Sequence, residues 1–561
     1  MAKVASPGTL YRHLDRLRQI VMVFAKYGFG DFLDRLRIWE HINIERRLLH
    51  QQGQPPSTLT AAKRLRLALE ELGPTFVKLG QMLSTRPDLL PPDFIRELQE
   101  LQRRVAPEAT EVVRGMIESE LGCSLTEVFS SFDENPVGAA SLAQVHRAML
   151  TNDQMVAVKV LRPEAEGVVR VDLEIMAKLA ALLERYLDEA RQVDIVGLVG
   201  EFSSTINKEL DLRVEAANMR RFADNFAEAK GIHVPTVFPE LCTKRILVME
   251  YIEGIEISDV ESLRAQGYDL SLIARRGAEI SLRATLEHGF FHADPHPGNV
   301  LVLSGNVVCL LDYGMMGRVS LRQRERLARL AYCIVSQDER MMARALLALA
   351  GSNETVDVEQ LAADLSDIVQ EYRYLQPDVG RLGTILYDLR RLVTDYNLRF
   401  PTQLVWLLKA LAIAEDTSHR LDPNLEILDY ARPYAERLLR RQLSPLQRAR
   451  GLYFGVIDAL ELVEDLPYDI RDILRQLKAG HIRIEFEHAG LEPIRRTLNR
   501  ASNRIAMAII LAALLTGSSL IARAELAPRV GDMPVIALVG YIVAALLGLW
   551  LIVSAIRMID N

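Results

Sequence analysis

The sequence predicts an α+β protein in two lobes: a small one that carries the strands, then a large helical one. A helical extension precedes them and a pair of apolar helices ends the chain. Three observations predict this. Strand texture is confined to residues 123–260, where short apolar or alternating runs flank a loop of small residues. Helical periodicity dominates from about Leu263 to Gln442. Two uncharged apolar runs then occupy 505–522 and 535–556.

At 561 residues the chain is too long for one compact core, and two domains with appendages are expected. Hydrophobic content of 49% with 25% charged residues describes a folded protein and excludes a disordered one. A net charge of -7 gives no global basic field, so no nucleic-acid partner is expected. Cys123, Cys242, Cys309 and Cys333 are widely spaced and form no CxxC pair, which argues against a structural zinc site and fits a reducing compartment. The first twenty residues lack the apolar run of a secretory signal.

Residues 1–60 read as amphipathic helices rich in arginine. Their apolar face would lie on anionic lipid or on the protein's own core. "QQGQPPSTLT" reads as a linker, and 61–122 as a helical extension broken at Pro74, Pro87 and Pro91-Pro92. A helix near Glu108 to Leu121 closes it. Within 123–260, "FSSFDENPVGAASLAQVHRAML" and "QMVAVKVLRP" predict strand, tight loop, strand and a further strand. Long helices are expected over Val168 to Arg191 and Val196 to Ala227, and "VPTVFPELCTKRILVMEYIEG" returns to strand character. Residues 261–445 form the helical lobe, interrupted by "HADPHPGN" and "VVCLLDYGMMG", and 446–504 a helical linker region.

The runs 505–522 and 535–556 span roughly 27 and 33 Å as helices, enough for a bilayer core of about 30 Å. The turn between them carries Pro528, Gly531 and Pro534. Arg495, Arg496, Arg500 and Arg504 precede the first run and Arg557 follows the second, against Arg523 and Arg529 in the turn. That asymmetry places the body on the cytoplasmic side. Gly517, Ser518, Ser519 and Gly540 would let spans pack closely and leave a homodimer open.

The chemistry begins at "VAVKV". Lys159 in an apolar strand either snorkels at an edge or is held for an anion. The loop before it offers Ala139, Ala140, Ser141 and Ala143, small residues whose backbone N–H groups can approach a phosphate. In "NKELDLRVEAANM", read as one helix, Asp211 and Glu215 share a face, while Glu209 and Glu215 do not. Glu215 would hold Lys159 against the α- and β-phosphates. Glu250, closing the run "RILVME", is a further candidate for cofactor binding. "HADPHPGN" admits a metal cluster of His292, Asp294 and His296, but no second His/Asp cluster of comparable density completes it. As phosphoryl-transfer machinery it fits better. Asp294 and Asn299 have the spacing of base and metal-ligand Asn in H-R-D-x-x-x-x-N, and Asp312 in "LLDYGM" stands as in D-F-G. The ordered set therefore reads as a protein-kinase-like, two-lobed fold.

On "KLGQ" (Lys78 to Gln81), "AASLAQV", "VAVKV", "ELD" (Glu209 to Asp211), "EAAN" (Glu215 to Asn218), "HADPHPGN" and "LLDYG", the chain resembles the UbiB family of atypical kinase-like proteins. The resemblance spans about Gly73 to Gly314, and the terminal apolar pair also resembles bacterial members. It implies a role in ubiquinone or related isoprenoid-quinone biosynthesis, with ATP and Mg²⁺ as cofactors. Lys78 would meet Glu209 or Asp211, so that the KxGQ helix fills the groove where a kinase lays its peptide. Asn299 and Asp312 would hold Mg²⁺, and Asp294 would orient the attacking water or hydroxyl. Arg103 and Ala106 stand where many relatives carry Asp and Pro, and no A-P-E follows "DYGM".

The expectation is thus a kinase-fold ATPase or small-molecule kinase at the bacterial inner membrane, body in the cytoplasm. Its partners would be membrane lipids, polyprenylated quinone precursors and other quinone-biosynthesis enzymes. The rivals are a protein kinase and a non-catalytic nucleotide-sensing scaffold.

Overall fold

The computed structural model describes residues 7–30, 59–101, 108–186, 194–374, 401–442, 491–523 and 528–556, with short interruptions inside these ranges and a few isolated positions between them. It divides into two compact units, Met1–Gly451 and Leu452–Asn561. Arg103, Ala106, most of the 446–504 region and the side chains of Arg495, Arg496, Arg500, Arg504, Arg529 and Arg557 lie outside the described residues, as does the second half of the amphipathic segment.

The strands of the small lobe form an antiparallel sheet in the order β1 (Phe129–Phe132), β3 (Ala143–Leu150), β4 (Met155–Leu161), β6 (Ile246–Glu250). The short β2 (Gly138–Ala139) pairs with β3. Alternation in β4 buries Val156, Val158 and Val160 against Val113 and Ile117 of the helix Thr110–Leu121, together with Ile246 and Val248 of β6. That choice turns Lys159 to the other face.

The helical extension packs beside this lobe. The helices are α1 (Pro7–Lys26), α2 (Ala61–Leu72) and α3 (Pro74–Leu83), which carries "KLGQ". Ile20 and Val23 of α1 join Leu69, Leu72, Phe76, Val169, Leu173 and Ile206 in one apolar core. The described part of the amphipathic segment therefore lies on the protein's own core. Arg16 fixes it there, with its Nε 2.7 Å from the fully buried Asp172 and its Nη2 donating to Leu72 O at 2.7 Å.

The expected single helix over Val196 to Ala227 is instead two, Ile195–Glu209 and Leu212–Asn225. Asp211 breaks it: its backbone is extended and its carboxylate accepts from Arg213 N–H, an N-cap that starts a new helix. Asp211 and Glu215 therefore do not share a helix face.

The large lobe is less purely helical than expected. Residues 232–310 contribute a second sheet in the order β5 (Ile232–His233), β10 (Val307–Leu310), β9 (Val300–Leu303), β7 (Ile255–Glu256). Gly305 and Asn306, both at positive φ, turn β9 into β10. Around it pack Leu270–Leu282, Leu321–Ser336, Thr402–Leu421 and Ile427–Gln442, over a core that includes Phe222, Phe290, Tyr313, Leu404 and Leu407.

The second unit holds helices Leu491–Ala522 and Val535–Ile556, joined through the paired strands Arg529–Val530 and Met533–Pro534. They run antiparallel: Ser519 and Tyr541 share a hydrogen bond of 2.8 Å, and Gly540 admits Ser518 where a Cβ would collide. Ile505–Ala522 is long and apolar enough to cross a membrane, with mean hydropathy 2.3. The second helix has described side chains only as a shorter apolar stretch, Val535–Gly548.

Candidate active site

Lys159 is not at a sheet edge. It lies opposite Val145 on one side and Leu247 on the other, so the snorkelling alternative fails. Its ammonium donates to Glu215 Oε1 at 2.7 Å and Oε2 at 2.9 Å, and stands 3.5 Å from Asp312 Oδ1. The helix restarted at Asp211 places Glu215 in its first turn, where it is buried. Tyr313 N–H also donates to Glu215, at 3.4 Å, and Gly314 N–H to Asp312 Oδ1, at 2.9 Å.

One cation thus serves two carboxylates. Burial pushes the Glu215 carboxyl up to about 7, opposed by Lys159 and reinforced by the charge of Asp312. Partial desolvation would also raise Asp312, but the Lys159 ammonium, the Gly314 N–H and Lys78 together hold it well below the usual carboxylate range. Lys159 is held above its ordinary value because Asp312, Glu215 and Glu209 outweigh its desolvation. A stronger lysine ammonium beside a weakened glutamate is consistent, since Asp312 supplies the compensating negative charge. The three groups thus hold Lys159 and Asp312 in their charged forms and shift the Glu215 carboxyl upward.

Within "HADPHPGN", His292 and His296 turn to separate partners. Among the described residues no group of three or more His, Cys, Asp or Glu is arranged to hold a metal ion. His292 Nδ1 accepts from Asp294 N–H at 3.2 Å, so its Nε2 carries the proton and donates to Asp312 O. Burial lowers its basicity, which keeps this neutral tautomer. One buried ring therefore ties the 292–299 loop to the Asp312 loop. His296 accepts from Gly298 N–H and caps the turn Pro297–Asn299. Asn299 O accepts from Leu311 N–H at 2.9 Å, which sets Asn299 beside Asp312. Asp294 pairs with Lys409 at 3.1 Å.

The small-residue loop is clamped at both ends. Ala140 N–H donates to Ala143 O at 2.8 Å, and Arg162 Nε donates to Ala140 O at 3.2 Å. Arg162 is itself paired with Glu108 at 2.7 Å. Ser141 and Ala143 are buried, Ala139 is partly covered and Ala140 is exposed. Lys78 of α3 meets Glu209 at 2.7 Å, and its charge reaches Asp312, so α3 lies at the same cleft.

Two predicted residues stand apart. Asp211 turns to Arg213, at 2.7 Å, and not to Lys78. The Glu250 carboxylate is engaged by Thr236 N–H and His233 Nε2, both at 3.0 Å. Lys409 and the bridging role of His292 went unread in the sequence. Lys409 lies 115 residues from its partner in an ordinary amphipathic helix, and no local signal marks it. The bonds of His292 to residues on both loops were at least testable from the motif's histidine.

Residues 100–346 match the ABC1 atypical kinase-like domain, 365–426 the UbiB helical domain, and 489–557 the ABC1/UbiB kinase-like C-terminal domain. The chain is 34% identical to a probable protein kinase UbiB of Marinobacter nauticus, covering 93% of this chain and 96% of that one. It is 34% identical to one of Pseudomonas putida, covering 90% and 93%. A Clostridium pasteurianum protein described as an uncharacterized protein in the hydrogenase 1 5′ region is 30% identical, covering 97% and 98%. Among solved structures, a Mycobacterium tuberculosis protein in complex with erythromycin is 24% identical with a TM-score of 0.45, covering 64% of this chain and 92% of that one.

Proposed function

Because the chain belongs to the UbiB family of atypical kinase-like proteins, we propose that it is a membrane-anchored, Mg-ATP-dependent phosphoryl-transfer enzyme supporting ubiquinone or related isoprenoid-quinone biosynthesis. Its activity is ATP hydrolysis or phosphorylation of a small molecule, coupled to access to polyprenylated precursors at the bacterial inner membrane. The observation that carries this reading is Lys159 set between Glu215 and Asp312, with Asn299 on the adjoining loop.

Each residue has a role in that reading. Lys159, oriented by Glu215, receives the α- and β-phosphates. The donor set suits Mg²⁺: Asp312 is ionised and its side chain is 45% exposed, and Asn299 adds an amide oxygen with no hydrogen-bond partner among the described residues. Magnesium takes few protein oxygens and completes its shell with phosphate and water, and when bound it neutralises phosphate charge. Asp294 orients the attacking water or hydroxyl. Ala139 to Ala143 cover the phosphates with a clamped, stiff turn. Lys78 and Glu209 latch α3 across the mouth, which disfavours a peptide substrate.

The terminal helices support the anchor. Only 6% of the Ile505–Ala522 window is buried, and Ile505, Ile509 and Leu520 are each more than 60% exposed. Leaving such side chains in water costs about 1.5–3 kcal/mol apiece, which lipid removes.

The test is ATP hydrolysis by the purified full chain, with and without anionic liposomes and a phenolic quinone-precursor analogue. Stimulation by both is expected, and loss of about 100-fold or more in Asp312→Asn. Lys78→Ala, freed of its latch to Glu209, should respond less to liposomes. The description of the relatives as probable protein kinases favours a second reading, phosphorylation of a partner protein. Labelled phosphate accumulating on a partner faster than ATP is hydrolysed would establish it. Nucleotide binding without turnover under every condition would instead leave a scaffold.

A further inference from the structure

We propose that Lys409 is a positioning residue for phosphoryl transfer, holding the Asp294 carboxylate and placing a permanent positive charge beside the transferred phosphoryl group. The inference rests on the phosphoryl-transfer reading above and extends it to a residue beyond the kinase-like domain. Lys409 falls within the segment that matches the UbiB helical domain.

Three observations lead there. First, from Ala284 to Gly317, a stretch that contains both the Asp294 loop and the Asp312 loop, the chain has no lysine or arginine. Any fixed cation near the reacting phosphate must therefore be brought from elsewhere. Lys159, oriented by Glu215, serves the α- and β-phosphates, and Lys78 is paired with Glu209. Second, Lys409 Nζ lies 3.1 Å from Asp294 Oδ1. The pair is only partly shielded, with side-chain exposures of 32% and 20%, so neither group is sealed from solvent. Third, the helix Thr402–Leu421 cannot easily rotate. Leu404, Leu407 and Ala410 are buried in the large-lobe core, and the helix packs on Leu270–Leu282 and on β11 (Met316–Arg318), the strand that follows Asp312.

The chemistry gives the ammonium two tasks. A carboxylate that must aim a water at a polyphosphate is repelled by it, and a neighbouring cation offsets that repulsion and fixes the oxygen's direction. An ammonium also makes the carboxylate a weaker base. That is tolerable here because a loose phosphoryl-transfer transition state asks little of a base and much of charge placement.

The experiment compares full-length wild type with Lys409→Met and Lys409→Arg, measuring kcat and KM for ATP, melting temperature and ADP affinity. The expected result for Lys409→Met is a kcat lowered roughly 10–100-fold with KM within about threefold, and unchanged melting temperature and ADP binding. Lys409→Arg, which keeps the charge, should recover most of kcat. If Lys409→Met lacks a native melting transition, Lys409→Gln takes its place. A kcat within about twofold of wild type overturns the proposal. So does a fall shared equally by ADP affinity and melting temperature, or an arginine variant no better than methionine. Wild-type protein that binds no nucleotide removes the underlying reading and this inference with it. If wild type binds ATP without turning it over, the ratio of ATP to ADP affinity becomes the readout. A ratio lowered about threefold or more in Lys409→Met then supports the placement beside the terminal phosphate, and an unchanged ratio overturns it.

Discussion

Glu215 is the residue whose chemistry depends most on its surroundings. Its carboxyl ionises at about 7 in the fold, well above the ordinary glutamate value, because it is buried and faces Asp312. At low pH the proton is present whether the chain is folded or not. Between the ordinary value and about 7 only the folded protein keeps it, so stability falls as pH rises through that window. Glu215→Gln cannot titrate. Wild type should therefore gain stability relative to the variant, on the order of 2 kcal/mol, as pH falls from about 8 to 5. Melting temperatures of the two proteins across that range check this, and a constant difference would refute the assigned titration. Lys159, Glu215, Asp294, Asn299 and Asp312 were legible in the sequence because each sits at a fixed offset within a short motif. Asp211 was misread because nothing local told its capping role from a charge on a continuing helix. Lys409 was invisible, since only tertiary packing brings it to Asp294.

At the scale of elements, the KxGQ helix explains its own glycine. A Cβ on Gly80 would collide with Leu101 and Leu69 and touch Leu98, side chains that pack α3 against α2 and the helix Pro92–Gln99. All three leucines are buried, so they have little room to yield. Gly80→Ala should cost about 1–3 kcal/mol through overpacking. It should also displace Lys78, two residues away, from Glu209. Denaturant titration would read the first effect. The second should appear as altered nucleotide affinity, which Gly80→Ala and Lys78→Ala would share if the helix acts through that ion pair. The strands of the small lobe could be anticipated, since alternation over β3 and β4 is clear and a turn of small residues separates β2 from β3. The β9–β10 hairpin was harder. "VLVL" and "VVCL" are short continuous apolar runs, which helix and strand share, and only the Ser-Gly-Asn between them announces a turn. The break at Leu210–Asp211 was lost for the opposite reason: helical periodicity on both sides hides a cap in the middle.

The whole molecule consists of a kinase-like body and a carboxyl-terminal helical unit. The apolar runs were plain in the sequence, because eighteen or more uncharged residues need no tertiary context to be read. The partner of the amino-terminal amphipathic face was not, since an apolar stripe reads the same for lipid and for protein. Packing answers it for α1, whose Ile20 and Val23 face the body's own core. For helices that cross a bilayer, the charge pattern commits to one orientation. Five arginines lie outside the two apolar runs, against Arg523 and Arg529 in the turn between them. Moving the body's side outward would carry the larger positive charge across the membrane, so the turn should face away from the cytoplasm. A Gly531→Cys variant tests this in intact spheroplasts with a membrane-impermeant maleimide. Cys309 and Cys333 are buried and Cys123 and Cys242 partly so, and wild type supplies their background. Labelling of the variant above that background before permeabilisation is expected. Labelling only afterwards would put the turn inside and invert the topology, and a chain recovered from the soluble fraction would remove the anchor altogether.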